Sequence, residues 1–295
     1  MIKSNKLKVL LLIAGLGLSG SNYLQAQSLK VPTASTLQKV TQGFALSEIQ
    51  LEYSRPGAKG RTVFGDLVPF GKVWRTGANQ STKITFGEDV KVNGKDVKAG
   101  TYAIYSVPGE KEWKISLYSD LNLGGNVAGY DVGKEVAAFN VPVKKLADKI
   151  ETFTIQIDDI TNTSANITLA WENTAVSFNV TADIDAKVMT GIENAMKDNR
   201  PYGQAASYYL ENGKDLNQAY EWIQKAVEQA PYAFWMIYRQ AKIEHELGKH
   251  EAAIATATVA KTKAAEAKND DYVKMSDELI QHCQAELKKV APKKK

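Results

Sequence analysis

Arginine is scarce in this chain and unevenly placed. Five occur, at Arg55, Arg61, Arg75, Arg200 and Arg239, in a chain otherwise supplied with lysine, and three of the five share the stretch 55–81. Lysine meets a general need for surface charge. Arginine is required where a planar fork must grip a carboxylate, phosphate or carbonyl, or stack on a ring. Trp74 adjoins Arg75, and Asn79 and Gln80 follow. Arg55, Arg61, Trp74, Arg75, Asn79 and Gln80 therefore form a candidate site for a carbohydrate or an anionic molecule, a polar pocket with an aromatic wall. The same residues have a structural use. Arginines can satisfy loop carbonyls or pair with Asp66 or Glu52, and Trp74 can fill the end of a core. Residue types leave both readings open. The stretch is rich in Gly and Pro and lacks alternation, and long irregular segments in compact domains are commonly functional.

Other chemistries are poorly provided for. His245, His250 and His282 all lie near the C-terminus, and residues 37–184 hold no His and no Cys. That removes Ser-His-Asp catalysis, Cys-His catalysis and His-ligated zinc from this part of the chain. His245 and His250 are five apart, not the four of a metal pair on one helix face, so they read as exposed or packing histidines. Cys283, the single cysteine, falls on an apolar helical stripe and reads as buried core; a disulfide framework is excluded. Asp66 with Glu88, Asp89 or Asp131 offers carboxylates, but no spacing singles out an acid–base pair. The glycines form no Gly-x-x-x-x-Gly-Lys-Ser/Thr run, so there is no P-loop. No catalytic residue, cofactor or metal is assigned, and the expected role is non-enzymatic.

The elements that must position the arginine stretch are strands. From about Leu46 to Ala182 the apolar residues alternate: Ile49, Leu51, Tyr53; Trp113, Ile115, Leu117; Phe153, Ile155, Ile157; Ile167, Leu169, Trp171; Val176, Phe178, Val180. Each run reads as a half-buried strand. Asn93-Gly94 reads as a two-residue hairpin turn, because both residues tolerate positive φ. Glu172-Asn173-Thr174 reads as a tight reversal between two strands. Many short strands with no intervening helix indicate an antiparallel β-sandwich, with a closed barrel as the alternative.

After Asp183 the period becomes helical. Ala219 and Ala226 recur as Ala253 and Ala260, 34 residues on. That period and the helix-turn-helix content resemble tetratricopeptide (TPR) repeats, in a degenerate form: Gly203, Gln240 and Glu244 occupy positions usually bulkier and apolar. The expected fold is thus a β-sandwich at 37–184 followed by an α-helical hairpin array at 185–290 and a Lys-rich tail at 291–295. Stacked hairpins present surfaces suited to a protein or peptide partner. Tyr208, Trp222, Trp235 and Tyr238 are the candidate contacts, because aromatic residues dominate interface energetics.

Arg55-Pro56, Lys59-Gly60-Arg61, Phe64-Gly65, Leu67-Val68-Pro69, Val73-Trp74-Arg75-Thr76-Gly77-Ala78-Asn79 and Ala99-Gly100-Thr101-Tyr102 together resemble the DUF2911 family over about Leu37 to Ile184. The resemblance implies a sandwich of the bacterial envelope, often followed by helical repeats. It brings no activity and no catalytic residue.

Met1–Ala26 has the pattern of a cleaved secretory signal: Lys3, Lys6 and Lys8, an apolar core at Val9–Leu18, and a small residue at the end. No later stretch is apolar enough to span a bilayer. Loss of the leader lowers the net charge from +4 to +1, and five lysines sit at the extreme C-terminus. The remaining body is slightly acidic, which argues against a nucleic-acid surface. A periplasmic or extracellular location is expected. N-terminal sequencing of the mature protein should begin at Gln27; recovery of Met1–Ala26 on that protein would refute export by cleavage.

Overall fold

The computed structural model describes residues 31–198 and 200–290. The expected leader at 1–26 and the lysine tail at 291–295 lie outside the described residues. The chain divides into two units after Ala182.

The first unit is a pair of antiparallel sheets. One has six strands in the order β1 (Thr36–Phe44), β2 (Ser47–Arg55), β3 (Ala78–Phe86), β6 (Gly100–Val107), β7 (Glu112–Tyr118) and β8 (Glu135–Pro142). The other has four, in the order β5 (Lys95–Val97), β4 (Val90–Val92), β10 (Ser164–Thr181) and β9 (Lys144–Asp158). The alternation anticipated from sequence holds: Ile49, Leu51 and Tyr53 are buried, as are Trp113, Ile115 and Leu117. Asn93 and Gly94 both take positive φ, 47° and 80°, between β4 and β5. The edge strand β1 is largely exposed, so it carries little apolar signal.

One expectation fails. Glu172-Asn173-Thr174 is not a reversal; β10 runs through it as one strand of 18 residues. The pairing with β9 shifts register between Ala170 and Glu172 and again between Glu172 and Thr174. Glu172 adopts φ 54°. The bulge explains the pattern that looked like two strands. Trp171 and Val176 are both buried although they stand five positions apart, and unbroken alternation would send one outward. Extra residues in a bulge restore the phase.

The sheets meet over an aromatic core. The Trp74 and Trp171 rings stack at 6.0 Å, and Phe153 lies 5.3 Å from Trp74. Phe64 sits 4.7 Å from Trp113 and 6.0 Å from Trp74. Tyr53 meets Phe153 edge-on at 5.9 Å, and its hydroxyl accepts from Ile155 N at 2.9 Å. Trp113 and Tyr53 come from the six-stranded sheet, Trp171 and Phe153 from the four-stranded sheet, and Phe64 and Trp74 from the irregular segment between β2 and β3.

The second unit consists of six helices: α1 (Asp185–Asp198), α2 (Tyr202–Glu211), α3 (Leu216–Gln229), α4 (Phe234–Glu246), α5 (His250–Glu266) and α6 (Asp270–Val290). Asp215 caps α3 by accepting from the backbone of Asn217 and Gln218. Small residues let the helices close up: Ala219, Ala226, Ala253 and Ala260, the 34-residue pairs, are all buried. Gly203 of α2 makes room for Met236 of α4, since a Cβ there would stand 2.9 Å from Met236 Cε. Gln240 donates to Glu244 at 2.8 Å, so these polar residues partner each other inside the helical unit. No helix among the described residues is long and apolar enough to cross a membrane.

Truncating a tryptophan at this aromatic junction leaves a cavity bordered by both sheets. Trp74→Ala should cost about 3–5 kcal/mol, and Trp74→Phe markedly less. Urea denaturation followed by near-ultraviolet circular dichroism measures both; equal losses would show that ring volume is not what Trp74 supplies.

Candidate functional site

The irregular segment is built from local devices that can be followed residue by residue. At Pro56 the chain leaves the six-stranded sheet and pairs with β9: Phe153 N donates to Pro56 O at 2.9 Å and Ala58 N to Glu151 O at 2.8 Å. Arg55 secures this crossing. Its Nε donates to Phe153 O at 3.0 Å and its Nη2 to Thr154 Oγ1 at 2.6 Å. Arg61 folds back on its own turn, donating to Ala58 O at 2.9 Å and Gly57 O at 2.8 Å. Both arginines thus serve backbone carbonyls of this crossing. The expected carboxylate partners are not used. Glu52 pairs with Lys39 at 2.6 Å, and that hydrogen bond holds its carboxyl below the usual range.

Trp74 is placed by a two-way backbone pairing with Ser106, at 2.7 and 2.9 Å, which adds residues to the sheet beyond the end of the β3–β6 ladder. The side chain goes into the core, 9 % exposed, and its Nε1 donates to Gly77 O at 3.1 Å. Val73, one residue earlier, packs on the other side of the sheet against Ala103, Tyr105 and Tyr118.

The turn that follows is strained. Thr76, Gly77 and Asn79 take φ 55°, 149° and 59°. A β-branched residue at positive φ costs about 1–3 kcal/mol and persists only where its surroundings hold it. Thr76 is fully buried, shares a hydrogen bond with Ser106 Oγ at 2.9 Å, and its carbonyl accepts from the Thr82 hydroxyl. Glycine suits position 77, where φ is one that side chains rarely adopt and a Cβ would lie 3.1 Å from both Ser54 O and Thr82 Oγ1. Asn79 donates to Ser35 O at 3.1 Å and Ser54 Oγ at 3.2 Å. Gln80 is exposed.

Arg75 stands apart from its neighbours. Its guanidinium has no hydrogen-bond or ion-pair partner among the described residues, and its Nε is buried without an acceptor. Its Nη1 approaches Gly125, in the loop where Tyr105 donates to Gly124 O at 2.7 Å. Burial pushes the Tyr105 hydroxyl above its ordinary pKa.

The structure brings Arg61, Trp74 and Arg75 to one cavity of about 360 Å³, whose lining also includes Lys59, Pro56 and Trp171. It does not bring in Arg55, Asn79 or Gln80, and Lys59 is a lining cation that the choice of arginines had passed over. The lining holds three cations, no carboxylate and no histidine. Nothing in it can act as a general acid–base pair at neutral pH. It is suited to holding negative charge.

Among the helical candidates, Tyr208 and Trp222 have structural partners. Tyr208 donates to Asp185 Oδ1 at 2.8 Å; burial first, and that hydrogen bond second, push its pKa up to about 12. Trp222 lies against Tyr209, 4.8 Å ring to ring, within the core around Ala206 and Ile223. Tyr238 rests half-buried on Tyr272, 5.6 Å away. Trp235 is 39 % exposed, and beside it Tyr232 is 72 % exposed, at 6.5 Å. The helices also bring His245, His250 and Cys283 together, which spacing on a single helix had argued against.

The two kinds of arginine should separate in stability. Arg55→Ala removes two charged hydrogen bonds and should cost about 1.5–3 kcal/mol. Arg75→Ala removes none and should stay within about 0.5 kcal/mol of wild type. Urea denaturation decides, and a comparable loss at both positions would make Arg75 a structural residue.

No curated protein and no solved structure matches the chain. Residues 35–180, the sandwich unit with the strained Trp74–Asn79 turn inside it, match the family model described as "Protein of unknown function (DUF2911)".

Proposed function

We propose that this is an exported, non-enzymatic binding protein whose sandwich holds an anionic small molecule or acidic sugar in the cavity beside Arg75. One observation carries the reading. Lys59, Arg61 and Arg75 line a single cavity with no acid among the lining residues, and Arg75 has a buried Nε that no protein group accepts. Like charges in one cavity repel, and an unpaired buried N–H loses the hydrogen bonds it had in water. A carboxylate or phosphate relieves both. The indole edges of Trp74 and Trp171 supply apolar wall for a sugar or other ring. The strained turn at Thr76 fits this reading, since strain of this kind clusters at ligand-binding sites.

A second role is supported by the helical unit. Tyr232 and Trp235 expose aromatic surface next to Phe234, Tyr238 and Tyr272, which pack ring on ring. Exposed tyrosine and tryptophan above a supported aromatic layer suit a protein or peptide partner. The helical hairpins would then present the partner, in the manner of TPR-like arrays.

Calorimetric titration of the full chain with inorganic phosphate and with glucuronate tests the first role. Binding of either should weaken at least about tenfold in Arg75→Ala, while Tyr232→Ala/Trp235→Ala binds as wild type. Absence of binding to any carboxylate or phosphate probe, or equal binding by Arg75→Ala, would sink it. The double aromatic variant should instead lose partners that chemical cross-linking captures with the wild-type chain.

A further inference from the structure

Three helices of the second unit converge on a cluster that neither the family match nor the proposed binding roles use. His245 lies in the last turn of α4, Gly248 reverses the chain with φ 71°, and His250 opens α5. The five-residue spacing that is wrong for one helix therefore becomes right for two. Cys283 comes in from α6. His245 Nδ1 lies 3.2 Å from His250 Nδ1 and 3.4 Å from Cys283 Sγ. The ligand atoms of all three residues fall within 4.8 Å of one another. His282, on the exposed side of α6, places its ring 5.4 Å from that of His245.

The two separations from His245 Nδ1 are those of a coordination shell. A tetrahedral zinc ion with nitrogen ligands at about 2.05 Å and sulfur at about 2.3 Å requires N···N edges of about 3.3 Å and N···S edges of about 3.6 Å. Hydrogen bonding alone serves the cluster less well. A neutral imidazole nitrogen carries either one hydrogen or one lone pair, yet His245 Nδ1 faces two potential ligand atoms at once. A Cys–His nucleophile is also a poor fit. Cys283 is fully buried, and burial pushes its thiol above its ordinary pKa. A nucleophile needs access and a lowered pKa.

We infer that His245 Nδ1, His250 Nδ1 and Cys283 Sγ form a binding site for a zinc-class divalent transition metal. Imidazole with one thiolate is a donor set that zinc and its neighbours take in preference to hard cations. On binding, Cys283 gives its proton to solvent and the thiolate neutralises one of the two charges of the ion. Three protein ligands leave a fourth position, on the side where the partly exposed histidines reach solvent. Because the ligands come from α4, α5 and α6, the ion ties together three helices, adding to contacts such as Tyr238 on Tyr272 and the Lys261–Asp277 ion pair.

Cobalt(II) added to the untagged full chain, with the thiol kept reduced, tests the site. The expected result is one cobalt per chain, with intense visible d–d bands, a thiolate-to-cobalt charge-transfer band, and displacement by zinc. Zinc in excess should raise the melting temperature of the helical unit by several degrees. Cys283→Ala should abolish the charge-transfer band, and His250→Ala should weaken zinc binding by more than about 100-fold while keeping its far-ultraviolet circular dichroism. His250 is only half-buried at the start of its helix, so that variant decides the matter even where Cys283→Ala fails to fold. A cobalt spectrum without a thiolate band, or zinc binding and zinc-induced stabilisation unchanged in His250→Ala, would overturn the assignment.

Discussion

Trp74 reaches the core from the irregular segment between β2 and β3, tied to the six-stranded sheet by its pairing with Ser106, and the first unit depends on that insertion. Its ring stacks on Trp171 and contacts Phe153 and Trp113, so one side chain touches both sheets. Aromatic pairs of this kind add to stability beyond the area they bury. The backbone cost is paid nearby, in the left-handed turn at Thr76 and Gly77 that lets the chain return to β3 directly after Trp74. Burying the indole and straining the turn are two parts of one arrangement. Ser106 connects them, pairing its backbone with Trp74 and its hydroxyl with Thr76.

This arrangement also explains why the arginines differ. Where the chain crosses from β2 to β9, Arg55 and Arg61 are spent on backbone carbonyls. Arg75 follows the inserted tryptophan on a residue whose backbone is already committed, its carbonyl accepting from Thr82 N at 3.2 Å. No group among the described residues accepts from its buried Nε, and the cavity beside it is lined by two further cations, Lys59 and Arg61.

The second unit is organised differently. Its core combines buried alanines with Ile223, Ile237 and Ile243, and the larger aromatic side chains pack around it. Some of those stack into the layer formed by Phe234, Tyr238 and Tyr272 beneath exposed Tyr232 and Trp235. Others, the histidines with Cys283, gather where α4, α5 and α6 come together.

Alternation and turn chemistry in the sequence determined the β character of residues 36–181, the helices after Asp183 and the irregular segment carrying the arginines, because these depend on local periodicity and on residues that tolerate positive φ. Local pattern could not reveal the bulge in β10. A phase shift of the core-facing residues looks the same whether the chain turns back or continues, and only pairing with β9 distinguishes the two. Nor could it rank the arginines, since whether a guanidinium is consumed depends on carbonyls of β9 and on a turn's own backbone, up to 98 residues away in the chain for Arg55 and Phe153. The histidines show the same limit. Spacing along one helix argued against a metal pair, and the tertiary structure brings His245, His250 and Cys283 together from three helices, where distance in space is set by packing and not by sequence separation.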